Sequence, residues 1–146
     1  MRLISHRGNI NGRNPELENR QDYIDTAIEA GYSVEIDIWK NDSKLYLGHD
    51  KGEVEVSKEW LLERNSYLYV HCKNFQALTF LLDYDLDIFY HEKEDYTIMS
   101  NGLIWAHNID MIDGMCIIPL LDKKDIENWE KKHVYGVCSD YIELLK

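Results

Sequence analysis

Residues 32–39 read YSVEIDIW, and no other stretch constrains the fold as tightly. Val34, Ile36 and Ile38 alternate with Glu35 and Asp37, which is the period of a β-strand whose two faces differ. The apolar face demands a core. The other face carries two carboxylates about 7 Å apart along the backbone. In an interior they repel each other and lose hydration unless a cation or a proton sits between them. The alternation leaves two readings open: an edge strand whose polar face meets water, or an interior strand that presents both acids to a cation. Oxygen ligands with few soft neighbours suit Mg²⁺, Mn²⁺ or Ca²⁺.

Around this strand, apolar runs and helical stripes take turns. Leu3–His6 reads as a strand ended by Gly8, and Tyr23, Ile24, Ala27 and Ile28 form a helical stripe stopped by Gly31. KLYLGHD (44–50) is a short strand, Ser57 caps a helix bearing Trp60 and Leu61, and YLYVHCK (67–73) is a further strand. Asn74 caps a helix carrying Ala77, Leu78, Leu81 and Leu82. DIFYH (87–91), LIWAH (103–107) and MCIIPLL (115–121) read as strands with little room for helices between them. Asp122 is placed at the start of a helix with Ile126 and Trp129, and YGVCSDY (135–141) is the last strand. Strands alternating with helices predict a parallel α/β sheet or barrel, and 146 residues predict a single domain, 1–146.

The histidines are not scattered. His6, His71, His91 and His107 each sit at the C-terminal end of an expected strand, His49 ends the short strand after the carboxylates, and only His133 is assigned to a helix. In parallel α/β architectures that rim is where chemistry is placed. A net charge of −11 argues against nucleic acid or an anionic membrane surface as partner. Any anionic substrate then needs local arginine, lysine or metal. Three cysteines, an odd number in apolar runs, point to reduced core residues of a cytoplasmic protein. A strand starting at Arg2 leaves no place for a secretory leader, and no apolar run approaches the ~20 residues of an integral membrane segment. Glycine-rich phosphate loops, nucleophile elbows and zinc spacings are absent.

Four segments in order, SHRG (5–8), PELEN (15–19), EAGYSVEIDI (29–38) and LGHD (47–50), resemble the glycerophosphodiester phosphodiesterase family. That family's pattern is His-Arg-Gly, Pro-Glu-Asn, a helix ending in Ala-Gly, Glu-x-Asp and His-Asp. The resemblance covers roughly residues 4–50, with two residues inserted between Pro15 and Glu18. It implies a TIM barrel that cleaves phosphodiesters with a divalent metal and two histidines. Carried onto this chain, it makes Glu35 and Asp37 metal ligands, His6 and His49 the general acid and base, and Arg7 a phosphate ligand. Glu18 and Asn19 stand for the Pro-Glu-Asn loop. In VHCK (70–73), Lys73 stands where the family has a phosphate-binding lysine, and His71 replaces its third carboxylate ligand. GVCSDY (136–141) resembles the family's closing strand.

The chain is about a hundred residues shorter than a full barrel of ~250. The expectation is therefore a reduced (β/α) barrel with helices shortened or missing after Asp83, whose apolar flanks a homodimer would cover. His91 is expected to reach substrate from the rim. The implied function is metal-assisted hydrolysis of a small phosphodiester. The alternatives are an inactive phosphate-binding protein of the same fold, and a lyase that stops at a cyclic phosphate.

Overall fold

A computed structural model describes residues 1–146. The chain runs from β1 (Arg2–His6) through a loop to α1 (Gln21–Glu29) and β2 (Ser33–Asn41). Next come β3 (Lys44–Leu47), β4 (Val54–Val56), α2 (Lys58–Leu62) and β5 (Leu68–Cys72). They are followed by α3 (Phe75–Leu81), β6 (Asp87–Phe89), β7 (Tyr96–Ile98) and β8 (Ile104–Ala106). β9 (Cys116–Pro119), α4 (Lys123–Glu127), β10 (Gly136–Ser139) and a 3-10 turn at Ile142–Leu145 complete it.

Local chemistry explains several boundaries. The Ser57 hydroxyl accepts the Trp60 N–H, and the Asn74 side chain accepts the Ala77 N–H, so both residues cap as expected. Asp122 precedes α4 but makes no capping bond, and α4 ends before Trp129. His133 lies in the loop after α4, not on a helix. Gly31 closes α1 with φ of 94°, and the N–H groups of Gly31 and Tyr32 return to Ile28 and Ala27. This is the glycine-dependent stop in which two helix-end carbonyls are satisfied.

Seven strands run parallel in the order β6-β5-β2-β1-β10-β9-β8. β7 is antiparallel to β8, while β3 and β4 extend the far end of β2 as an antiparallel meander. The ten strands form one curled, mixed sheet, a half-barrel rather than the expected reduced TIM barrel with helices between strands. The correction has a physical cause. Residues 90–95, 99–103 and 107–115 join β6, β7, β8 and β9 with no helix between them, and these lengths fall below what a helical crossover needs. At the seam, the Ser100 N–H donates to Ile88 O at 2.9 Å, and Ser100 Oγ accepts the Ile88 N–H.

Three apolar layers follow from strand alternation. Val34, Ile36 and Ile38 of β2 join Val70 and Cys72 of β5 under Ile24, Ala27, Ala77 and Leu81 of α1 and α3. Inside the curl lie Ile4, Tyr69, Phe89, Met99, Leu103, Trp105, Ile117 and Cys138. Cys116, Ile118 and Val137 face outward under Ile126 and Ile142. Cys72, Cys116 and Cys138, one in each layer, are buried and unpaired. No helix is long and apolar enough to cross a membrane.

Candidate active site

The interior of the curl changes character along each strand. Ile4 is followed two residues later by His6, Tyr69 by His71, Phe89 by His91, Trp105 by His107 and Cys138 by Asp140. A step of two keeps the same face, so a polar layer stands on the apolar one at the C-terminal ends of the parallel strands. There a cavity of about 270 Å³ opens, lined by His6, Arg7, Glu35, His49, Lys73 and six further groups besides His71.

β2 holds the centre of this layer. Its outer residues are locked in the helix-covered core, so Glu35 and Asp37 face inward, 2% and 0% exposed. β5 pairs with β2 in parallel with His71 opposite Asp37, which sets the imidazole against both acids. His71 Nδ1 lies 3.2 Å from Asp37 Oδ1 and 3.7 Å from Glu35 Oε1. Lys73 Nζ is 4.0 Å from Asp37 Oδ1. Arg7 Nε is 2.8 Å from Asp37 Oδ2, an ion pair in which the N–H is not aimed along the contact, and Arg7 Nη1 donates to Glu18 Oε2 at 3.3 Å.

Glu18 and Asn19 brace the cluster from outside the main cavity. The Asn19 amide donates to Asp37 Oδ2 at 2.9 Å, while its carbonyl accepts the Asp37 N–H at 3.0 Å. Glu18 also accepts from Asn9 and Arg13. Arg7 and Asn19 both take left-handed backbone, with φ of 57° and 59°, and the Asn19 N–H donates to Arg7 O. Such conformations concentrate at functional sites. Gly8, φ 95°, is required: a Cβ there would meet Tyr23 Cδ1 at 2.6 Å. Tyr23 in turn donates its hydroxyl proton to Asn9.

His6 ends β1 with its Nδ1 2.7 Å from Asp140 Oδ1, and its Nε2 is 3.7 Å from Glu35 Oε2. Burial alone would lower the His6 pKa, but Asp140 and Glu35 together raise it. Asp140 is held low against burial by His6 and by the Asn9 amide. Burial and the Asp37 charge push Glu35 up, against His6, His71 and Arg7. Burial would raise Asp37 too, yet His71, Arg7 and Asn19 outweigh it and hold that carboxyl low.

His49 reaches the rim of the same cavity but not the cluster. It sits in the loop after β3, its side chain is 44% exposed, and its Nδ1 lies 2.8 Å from the exposed Asp50. His91 follows β6 and contacts Glu94 and Thr97, while its ring stacks on His107. Sequence reasoning passed over Asp140 and Asn9, and it placed His107 on the rim without giving it a role. Asp140 and His107 carry the signal that marks the other rim groups, a polar residue two positions after an inward apolar one.

The donor set fits a divalent cation. Ligand atoms of Glu35, Asp37 and His71 all lie within 4.8 Å of one another. Glu35 Oε2 and Asp37 Oδ1 are buried without hydrogen-bond partners. His71 Nε2 is 3.3 Å from His91 O, and a ring N–H donating there leaves Nδ1 facing two carboxylates. That face needs positive charge, supplied by an imidazolium proton or by a metal ion whose histidine ligand is oriented through its other nitrogen. Comparisons with protein-family models, with curated proteins and with solved structures find no match to this chain.

Proposed function

We propose that the cavity binds and cleaves a small phosphodiester, with chemistry of the glycerophosphodiester phosphodiesterase type. One observation carries this reading: Glu35, with an unpartnered oxygen, lines a cavity with His6, Arg7, His71 and Lys73, and the buried Asp37, also with an unpartnered oxygen, clusters with Glu35 and His71. A divalent cation (Mg²⁺, Mn²⁺ or Ca²⁺) held by Glu35, Asp37 and His71 would offset the charge of the phosphoryl group. Arg7 and Lys73 hold its free oxygens. His6, oriented by Asp140 through Nδ1, presents Nε2 to the cavity. It removes the proton from the attacking oxygen as the new phosphorus–oxygen bond forms. His49 returns a proton to the leaving alkoxide as the old bond breaks. Where the attacking oxygen is a hydroxyl of the substrate itself, the product is a cyclic phosphate and the reaction is that of a lyase.

The net charge of −11 disfavours nucleic acid as the diester, and three unpaired buried cysteines suit the reducing cytoplasm. Turnover of a glycerophosphodiester, followed by phosphorus NMR with Mn²⁺, Mg²⁺ or Ca²⁺ added, tests the reading and separates hydrolase from lyase by product. His6→Ala is expected to lower turnover by about 10²-fold or more. No cleavage with any of these metals, or undiminished turnover in His6→Ala, overturns it. One observation favours a second reading, a phosphate-ester binding protein without turnover: His49 is held by Asp50 and touches neither carboxylate. Ligand binding with no product in any metal decides for that alternative.

A further inference from the structure

The outer face of the sheet is covered unevenly. β2 and β5 lie under α1 and α3, and β9 and β10 lie under Ile126 of α4 and Ile142 of the closing turn. β8 has only the segment 107–115, which returns from its C-terminal end to the start of β9 without forming a helix. Ile112 of that segment packs on the outer apolar layer. Between the segment and the strands an open cavity of about 460 Å³ remains, lined by Tyr96, Ile104, Met111, Ile112, Cys116 and two aspartates. It lies on the opposite face of the sheet from the candidate active site. Thr97 reaches His91 inside the curl, so its neighbours Tyr96 and Ile98 point outward.

Apolar surface continues past the cavity. Met111 and Ile98 are the two most exposed large apolar side chains of the chain, and Ile109 and Met115 are exposed on the same segment as Met111. Apolar surface of this kind, rimmed by polar groups, marks interaction sites. Charge narrows the partner. No lysine or arginine occurs between Lys93 and Lys123, a stretch that holds Asp95, Asp110 and Asp113. Asp110 and Asp113 line the cavity, Asp95 precedes Tyr96, and no basic side chain lines the cavity. An anionic lipid surface is repelled by this rim. A second copy packed across a two-fold axis would set these acids against their own counterparts.

We infer that this face docks a basic amphipathic helix of a partner protein, seated where the sheet lacks a helix of its own. The apolar stripe of such a helix covers Tyr96, Ile98 and Met111, and its lysines or arginines reach Asp95 and Asp110. The sizes agree: three residues of β7 span about 10 Å, and two helical turns span about 11 Å. Met111 and Met115 suit the role because an unbranched thioether repacks around different side chains. The inference goes beyond the phosphodiesterase reading and does not depend on it.

The probe is a fluorescein-labelled synthetic peptide of about 15 residues, long enough to hold a helix, with leucines at the i, i+3, i+4 and i+7 spacing and lysines elsewhere. The same residues in scrambled order keep the charge and lose the stripe. By fluorescence anisotropy, the amphipathic peptide is expected to bind at least about tenfold tighter than the scrambled one. Ile98→Ser and Met111→Ser, both at largely exposed positions, are each expected to weaken it about tenfold. Asp110→Lys is expected to weaken it severalfold; Asp113 is left intact because it holds the Met115 N–H. Phe75→Ser, at an exposed apolar position on α3, is expected to change nothing. No binding, equal binding of the scrambled peptide, or undiminished binding in Ile98→Ser and Met111→Ser overturns the inference. So does sedimentation of the chain alone as a dimer that Met111→Ser dissolves, which would make a second copy the occupant.

Discussion

The two halves of the sheet are built to different standards. Around β2 and β5 the strands are long and covered by α1 and α3, and Val34, Ile36, Ile38 and Val70 are wholly buried. Past β6 the strands shrink to three or four residues, β7 has no helix over it, and Ile98 and Met111 are 78% and 81% exposed. The division of labour in the site follows the same line. His6, Glu35, Asp37 and His71 belong to strands packed on both sides, whereas His91 and His107 follow the short strands. The groups that converge on Asp37 thus sit on strands covered by helices, and the two stacked imidazoles sit on loops after short strands.

Substitutions can break that contrast. Ile36→Ala, in the covered half, is expected to cost about 2–5 kcal/mol in urea denaturation, and Ile98→Ala, in the bare half, under about 0.5 kcal/mol. Equal costs would erase the distinction between the halves.

The His6–Asp140 pair joins the central strands β1 and β10, and Asp140→Asn removes its charge-assisted bond, worth about 1.5–3 kcal/mol. The size of the effect depends on pH. His6 is raised, so its contribution is complete below the unfolded value near 6.5 and fades as pH rises through the folded value. Asp140 is lowered, so its contribution needs pH above about 3.9 and is lost as pH falls through its folded value. The destabilisation by Asp140→Asn is thus expected to peak between about pH 4 and 6.5, and the His6 ring, followed by NMR, should titrate lower in the variant. A pH-independent cost would show that the pair only fills space.

The smallest effect in the covered half concerns Glu35. Because burial and Asp37 disfavour its charge, Glu35→Gln is expected to stabilise the metal-free protein by about 1 kcal/mol. It should also abolish any rise in melting temperature on adding Mn²⁺. A less stable metal-free variant would mean that His6, His71 and Arg7 already satisfy the acid.

How much of this was legible in the chain follows from how each element is held. β1, β2 and β5 announce themselves because each buries one apolar face, and Gly31, Ser57 and Asn74 mark helix ends through bonds made within a few residues. Strand period puts Glu35 and Asp37 on one face and strand-end position puts His6 and His71 on one rim, but it took the family resemblance to gather them into one site. β4 and β7 were not foreseen. Their three-residue runs carry little periodicity, and β7 exists through its pairing with β8, a contact between chain segments. The barrel expectation extended the strand–helix rhythm of the first half into a stretch whose connections are too short for it. Nor does spacing tell that His49 turns to Asp50, because a loop side chain answers to its immediate neighbour.

The three cysteines have a consequence for watching the molecule move. Cys72, Cys116 and Cys138 are 0%, 3% and 0% exposed, each in a different apolar layer. Burial pushes the Cys72 thiol up to about 12 and raises Cys138 well above its usual value. A thiol reagent can reach either one only when its layer opens to solvent. The chain therefore carries three built-in clocks. With each retained singly and the other two replaced by serine or alanine, labelling half-times would time the opening of the helix-covered layer, the outer layer beneath α4 and the interior of the curl separately.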